Sequence, residues 1–319
     1  MNDGRRLARA YIAVVVGLIV VIQFLYFQRG IVPGDALNYL AAGQRLNDGH
    51  PLYGLSPGDR PADINPEYWR IPLVSPPLIA VIWRPLALLG DAGPYVWWVG
   101  QVAALLAAVG MLLRRRPALT ATALLLLSVP FVYEFAVGNV NSFLLLGLLV
   151  AWRAFTAGRP ATSGGLAAMA AGIKVSPIFV GWWAVVTGGR SALVALLGTG
   201  VAALLVSLAG AGLDNHLAHV TALAGGAVSF SPLSLGGMLR FVGVPETLAS
   251  LIVIAIVAAA AILVWRLRRR PDRGFQVAVV AMIAASPAVS INWFVLLLAL
   301  LAPAAWPLPE QAPTGRPTG

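Results

Sequence analysis

Long, predominantly apolar runs cover 10–28, 94–113, 118–135, 141–157, 165–187, 191–211, 247–265 and 275–305, and the basic clusters gather at their ends. Apolar runs of this length predict membrane-spanning helices, which need about 20 residues each. Arg114-Arg115-Arg116 and Arg266-Leu267-Arg268-Arg269-Arg270 sit where two of the runs end, as loops on the cytoplasmic face do. The first run follows Arg5, Arg6 and Arg9 and no small-x-small cleavage site comes after it, so it predicts an uncleaved first span.

Orientation follows from the bases. With the N-terminus inside, residues 29–92 lie outside and the later loops alternate. A single span over 165–187 would put Arg190 and the Arg266–Arg270 cluster outside, against the positive-inside rule. Two short helices, 165–174 and 177–188, joined near Lys174 and Pro177, restore it, and the same reading divides 275–286 from 292–305 at Ser286-Pro287. The inside loops then hold fifteen of the 22 basic residues. Broken backbone at membrane depth is tolerated where it is buried in protein or lines a cavity. Residues 76–90 are apolar, too short to span, and contain Arg84 and Pro85. They predict a helix at the outer interface, with Trp83, Tyr95, Trp97 and Trp98 marking an aromatic belt.

The expected architecture is all-α and polytopic, with about eight to ten spanning or broken helices in one domain over 1–306, an extracytoplasmic loop over 29–92, and a disordered Pro/Gly/Thr-rich tail over 307–319. Composition agrees: 59% of the 319 residues are hydrophobic and 11% charged, against about 25% charged in soluble domains. The net charge of +10 is accounted for by loop ends and does not point to nucleic acid. With no cysteine, disulfides, thiolate catalysis and zinc–cysteine sites are excluded. No phosphate-cradling Gly-rich motif and no HExxH occurs.

Chemistry concentrates outside. In GDALNYLAAGQRLNDGHPLYG, Asp35, Tyr39, Ala42 and Leu46 share one helical face; Asp35 is either an N-cap or a functional carboxylate. Lys174, the sole lysine, either snorkels to the interface or lines a pathway. Asn139 and Asn141 are turn residues or sugar ligands. Tyr68, Trp69 and Arg70 could stack on sugar or hold phosphate, or sit in headgroups. His216 and His219, near Asp214, fit an interfacial helix better than a metal site, and His50 fits loop structure. No metal site is expected.

The order of blocks resembles bacterial glycosyltransferase family 87, membrane mannosyltransferases of the GT-C type that use polyprenyl-phosphate-mannose. The resemblance is carried by Gly34-Asp35, Tyr39, Ala42, Leu46, Gly49, Pro51-Leu52-Tyr53, Pro76-Pro77-Leu78 with Arg84-Pro85-Leu86, Gly138-Asn139-Val140-Asn141, Ala171-Gly172-Ile173-Lys174 with Pro177, and Ser286-Pro287. The sequence departs from the family pattern at Ser75, where an aromatic is usual, in the late outer loop, which keeps Ser234, Leu235 and Arg240 but not the family's asparagine, and after Ser286-Pro287, where Asn292 stands at about the place of a histidine. The resemblance implies a GT-C-like fold and transfer of a hexose, most simply mannose, from a polyprenyl-phosphate sugar to a lipid or glycan acceptor. Transfer would take place on the outer face of the inner membrane with inversion of configuration. It implies Asp35 as general base and Lys174 and Arg240 as cations for the leaving phosphate, with Tyr68, Arg70, Asn139, Asn141 and Asn292 toward the donor and no cofactor beyond the donor itself. A flippase for a lipid-linked sugar is the alternative, and a non-catalytic membrane scaffold a third.

Overall fold

The computed structural model describes residues 34–53, 73–224 and 230–308. The first expected span, Tyr68, Trp69, Arg70 and most of the tail lie outside the described residues. Among the described residues every regular element is helical and there is no strand. The chain is an all-α polytopic membrane protein.

Helix α1 (Gly34–Asn47) is followed by α2 (Pro77–Ala87) and α3 (Ala92–Arg115). Next come α4 (Pro117–Leu126), α5 (Ser128–Val137), α6 (Asn141–Thr156) and α7 (Pro160–Ile173). The long α8 (Ile178–Ala224) bends at Gly189 and Gly212, both with positive φ. The chain ends with α9 (Leu235–Phe241), α10 (Glu246–Arg266), α11 (Pro271–Ala284), a 3-10 helix (Ile291–Leu301) and α12 (Ala302–Ala305). Three helical segments among the described residues are long and apolar enough to cross a membrane: Ala92–Arg115, Ile178–Ala224 and Glu246–Arg269. In α8, Val194, Leu197, Val201 and Leu205 are all exposed, and in α10 so are Leu251 and Ile254. Apolar surface on this scale outside the core is what a lipid-facing helix presents.

Three expectations are corrected. The run 118–135 is not one straight span: α4 and α5 meet at a 66° bend. Pro130 lies in the first turn of α5; its ring would clash with the Leu126 carbonyl in a continuous helix, and it has no N–H to donate. The second correction concerns the aromatic belt. Trp83 is fully buried and Trp97 nearly so. Their ring centroids lie 4.9 Å apart, with Tyr39 6.0 Å from Trp83 and Phe143 4.8 Å from Trp97. The cause is the packing of α2 between α1 and α8. Arg84 Nη1 donates to the Gly210 carbonyl at 3.0 Å, and Arg84 Nε donates to Asn47 Oδ1 at 3.0 Å. Tyr95 alone of the four is exposed.

The third correction is at the C-terminal end, where the last apolar run winds as a 3-10 helix. Side chains three apart eclipse in that geometry, and Asn292, Val295 and Leu298 are all fully buried. The breaks expected at Lys174–Pro177 and at Ser286-Pro287 are both present. Pro177 disfavours helical backbone in the residue before it, and Lys174 caps α7 in extended conformation (φ −135°, ψ 131°).

The α1–α2 contact is close enough to require a glycine. A Cβ at Gly43 would lie 2.7 Å from the Trp83 carbonyl oxygen, whereas one at Gly110 in α3 meets nothing within 4 Å. Gly43→Val should therefore lower stability in detergent by about 1–3 kcal/mol, and Gly110→Ala should leave it unchanged. Thermal melting of the purified variants checks this; equal melting temperatures for Gly43→Val and wild type would contradict the packing.

Candidate active site

The turn between α5 and α6 is the foundation of the site. Gly138 takes left-handed backbone (φ 69°) to close α5, and its N–H donates to the Glu134 carbonyl at 3.1 Å. Glycine adopts that conformation without a Cβ penalty. The turn is held from α3, where Trp97 Nε1 donates to the Gly138 carbonyl at 2.9 Å and Gln101 Nε2 donates to the Asn139 carbonyl.

On this turn Glu134 serves the N-terminus of α6. Its carboxylate accepts from the Ser142 backbone N–H at 3.0 Å and from Asn141 Nδ2 at 3.0 Å. An anion there satisfies an otherwise orphaned donor and complements the helix dipole. Asn292 Nδ2 donates to the same carboxylate at 3.1 Å from the 3-10 helix, and Ser290 Oγ donates to Asn292 Oδ1.

Lys174 joins the two halves. Its Nζ donates to Asn139 Oδ1 at 2.9 Å and to Asn141 Oδ1 at 2.8 Å, and lies 4.0 Å from the centroid of the Trp293 ring. The Lys174 residue is 8% exposed, so it does not snorkel. Its contacts fix both amide orientations. Asn139 Oδ1 also accepts from the Val140 N–H at 2.7 Å; with two obligate donors on the oxygen, the Asn139 NH₂ must face outward. There it donates to Asp35 Oδ2. The network therefore has one sense of donation. One arm runs from Lys174 through Asn139 to Asp35, the other from Lys174 through Asn141 to Glu134.

Asp35 lies inside the first turn of α1 rather than before it, and its carboxyl is used by a residue 104 positions away. Burial raises it from its ordinary 3.8 to about 6, against the hydrogen bond from Asn139 and the charge of Lys174, which lower it. Asp35 and Lys174 both line a cavity of about 400 Å³, whose wall is also formed by the chain breaks at 174–176 and 285–290.

The remaining candidates distribute as follows. Asn139 lines the cavity, whereas Asn141 and Asn292 lie behind it as supports for Lys174 and Glu134. Arg240 is not brought to the cavity: its guanidinium is 3.7 Å from Glu246 on the exposed side of α9. Arg240 and Lys174 are thus not brought side by side. Among the described residues no three His, Asp or Glu side chains converge. His216 Nε2 meets Ser207 Oγ at 2.9 Å, and its Nδ1 meets the Gly212 carbonyl at 2.8 Å.

Glu134 was not singled out from the sequence, although an acid inside the apolar run 118–135 is itself a signal. Ser176, His219 and Gln101 carried no signal of comparable strength.

The model of Glycosyltransferase family 87 matches residues 74–290, a stretch that includes Glu134, Asn139, Asn141, Lys174 and Arg240 and begins after Asp35. A polyprenol-phosphate-mannose-dependent alpha-(1-2)-phosphatidylinositol pentamannoside mannosyltransferase from Mycolicibacterium smegmatis is 31% identical over 229 residues. That alignment takes in 64% of this chain and 53% of the relative, so the chain spans about half the length of the curated relative it matches. No solved structure gives a significant match.

Removing one member of a buried ionic set costs about 3–5 kcal/mol because it leaves the partner uncompensated, whereas removing both is often neutral. Glu134→Ala should thus destabilise by about 3 kcal/mol, and adding Lys174→Met should recover much of the loss. Detergent melting measures both; a double variant no more stable than Glu134→Ala would contradict the pairing through Asn141.

Proposed function

The chain belongs to glycosyltransferase family 87, and on that footing we propose that it is a membrane glycosyltransferase whose cavity takes a polyprenyl-phosphate hexose, most simply mannose. The observation that carries the reading is the placement of a carboxylate and a cation, Asp35 and Lys174, on one cavity wall, linked through Asn139. The mannose donor printed in the name of the mycobacterial relative supports the choice of sugar.

In the proposed reaction Asp35 accepts the proton of an acceptor hydroxyl while that oxygen attacks the anomeric carbon. The bond from the anomeric carbon to the phosphate oxygen breaks, and polyprenyl phosphate leaves with the electron pair. Configuration at the anomeric carbon inverts. Lys174 faces the charge that develops on the departing phosphate, where a preorganised cation acts most strongly. Asn139 holds the carboxylate, and Glu134 holds the cation through Asn141. The acceptor is a lipid or glycan hydroxyl.

The protein is read as residing in the inner membrane of a bacterium, as one domain over 1–306, with the cavity on the extracytoplasmic side. The chain has no native cysteine, so one introduced at Leu88, which is 77% exposed, reports this directly. It should react with an impermeant maleimide added to whole cells; labelling only after the inner face is opened would reverse the topology.

The catalytic roles are tested with purified protein and radiolabelled polyprenyl-phosphate-mannose. Transfer identifies an enzyme, and translocation across a vesicle without transfer identifies a flippase. Asp35→Asn should lower the rate at least about 10²-fold, the contribution of a positioned base. A base works as the carboxylate, so the wild-type rate should fall as pH drops through about 6. Lys174→Met removes a charge that favours the carboxylate and should move this acid limb to higher pH. An Asp35→Asn variant of near wild-type rate, or an acid limb that Lys174→Met leaves in place, would overturn the assignment.

A further inference from the structure

His219 is buried, at 8% exposed, and its Nδ1 has no hydrogen-bond partner within the protein. It lines the same cavity as Asp35 and Lys174. Ser176, two residues beyond Lys174, also lines that cavity, and its Oγ is likewise buried without a partner within the protein. A buried donor or acceptor left unmade costs about 1–3 kcal/mol, and buried polar atoms in native proteins nearly always have a partner. Two orphans on one cavity wall are best explained by a partner that enters the cavity.

The surrounding structure holds the imidazole in place. The Tyr53 ring lies 4.9 Å from it, centroid to centroid, and Tyr53 Oη donates to the Ser75 carbonyl at 2.7 Å. The preceding residue docks on the same helix: the Leu52 N–H donates to Asn215 Oδ1 at 2.7 Å, one turn before His219. The Pro51-Leu52-Tyr53 segment thereby acts as a clamp on the end of α8.

We propose that His219 and Ser176 form a subsite that hydrogen-bonds hydroxyl groups of a sugar or polyol held in the cavity beside Asp35 and Lys174. The inference rests on the glycosyltransferase reading and adds to it the residues that recognise a hydroxyl. Hydroxyl is the matching chemistry because it both donates and accepts, as a neutral imidazole and a serine do. A phosphate would call for a cation, which Lys174 already supplies.

Two sources could provide the hydroxyl, the donor's own sugar and the acceptor. Binding of polyprenyl-phosphate-mannose, polyprenyl phosphate and octyl α-mannoside to full-length protein, read from the fluorescence of Trp293 and its neighbours, separates them. The Asp35→Asn background slows turnover, and each probe is added alone, without a second substrate. His219→Phe keeps a ring against Tyr53 and removes the nitrogen. His219→Asn loses the ring and keeps a polar atom near the Nδ1 position. If the hydroxyl belongs to the donor, His219→Phe should weaken polyprenyl-phosphate-mannose about 5- to 10-fold, the worth of one neutral hydrogen bond, and leave polyprenyl phosphate unchanged. If it belongs to the acceptor, the loss should fall on octyl α-mannoside. In either case His219→Asn should bind better than His219→Phe, and Ser176→Ala should weaken the same ligand. Unchanged binding of all probes by His219→Phe, or a worse defect in His219→Asn, would assign His219 to packing and overturn the subsite. Failure of the parent protein to bind polyprenyl-phosphate-mannose at all would instead remove the glycosyltransferase reading, and the subsite with it.

Discussion

One buried ammonium organises this protein. Lys174 sits between two half-helices in an apolar chain, where an unpaired cation would be expensive. The structure meets that cost without direct contact with a carboxylate. Two asparagine side chains receive its hydrogens, at 2.9 and 2.8 Å, and pass donors on to Asp35 and Glu134. Each amide is oriented by the lysine, so the direction of donation is set from the centre outward. The two ends differ in use. Glu134 is enclosed and saturated by α6 and Asn292, whereas Asp35 opens onto the cavity. The open carboxylate and the enclosed one are thus coupled through the same lysine.

The broken helices follow from the same requirement. To bring a lysine, two asparagines and two acids together, the chain must stop and turn at 138–140, at 174–177 and at 285–290. The backbone groups freed there find partners in the surrounding protein. Trp97 and Gln101 serve the first turn. The Ser231 N–H donates to the Pro287 carbonyl at 2.9 Å, and Ser231 Oγ donates to the Val289 carbonyl at 2.6 Å. Irregular backbone at depth persists where protein or a cavity covers it, and here the breaks build the cavity wall.

Much of this was legible in the sequence for physical reasons. The positive-inside rule demanded a break near Lys174, and Pro177 marked it; both are local signals. The isolation of a single lysine in an apolar stretch pointed to a pairing, and the spacing of Asp35 and Tyr39 gave the inward face of α1. What was hidden is long-range. Nothing near Asp35 shows that its partner is Asn139, and a cap and a networked carboxylate look alike at the start of a helix. Glu134 stays hidden in a count of loop charges, which ignores depth. Trp83 and Trp97 read as belt residues because an interfacial helix and one packed between neighbours share composition. Arg240 followed from the family pattern, while its ion pair with Glu246 depends on how α9 and α10 meet.

The central claim is that Lys174 and Asp35 act on two ends of one bond, the phosphate and the sugar. A cryo-electron microscopy structure of the Asp35→Asn variant with polyprenyl-phosphate-mannose tests it most directly. The account predicts the phosphate within hydrogen-bonding distance of Lys174 Nζ and the anomeric carbon turned toward residue 35, inside the cavity. Donor density with its phosphate on Arg240, or with its sugar outside the cavity, would contradict it.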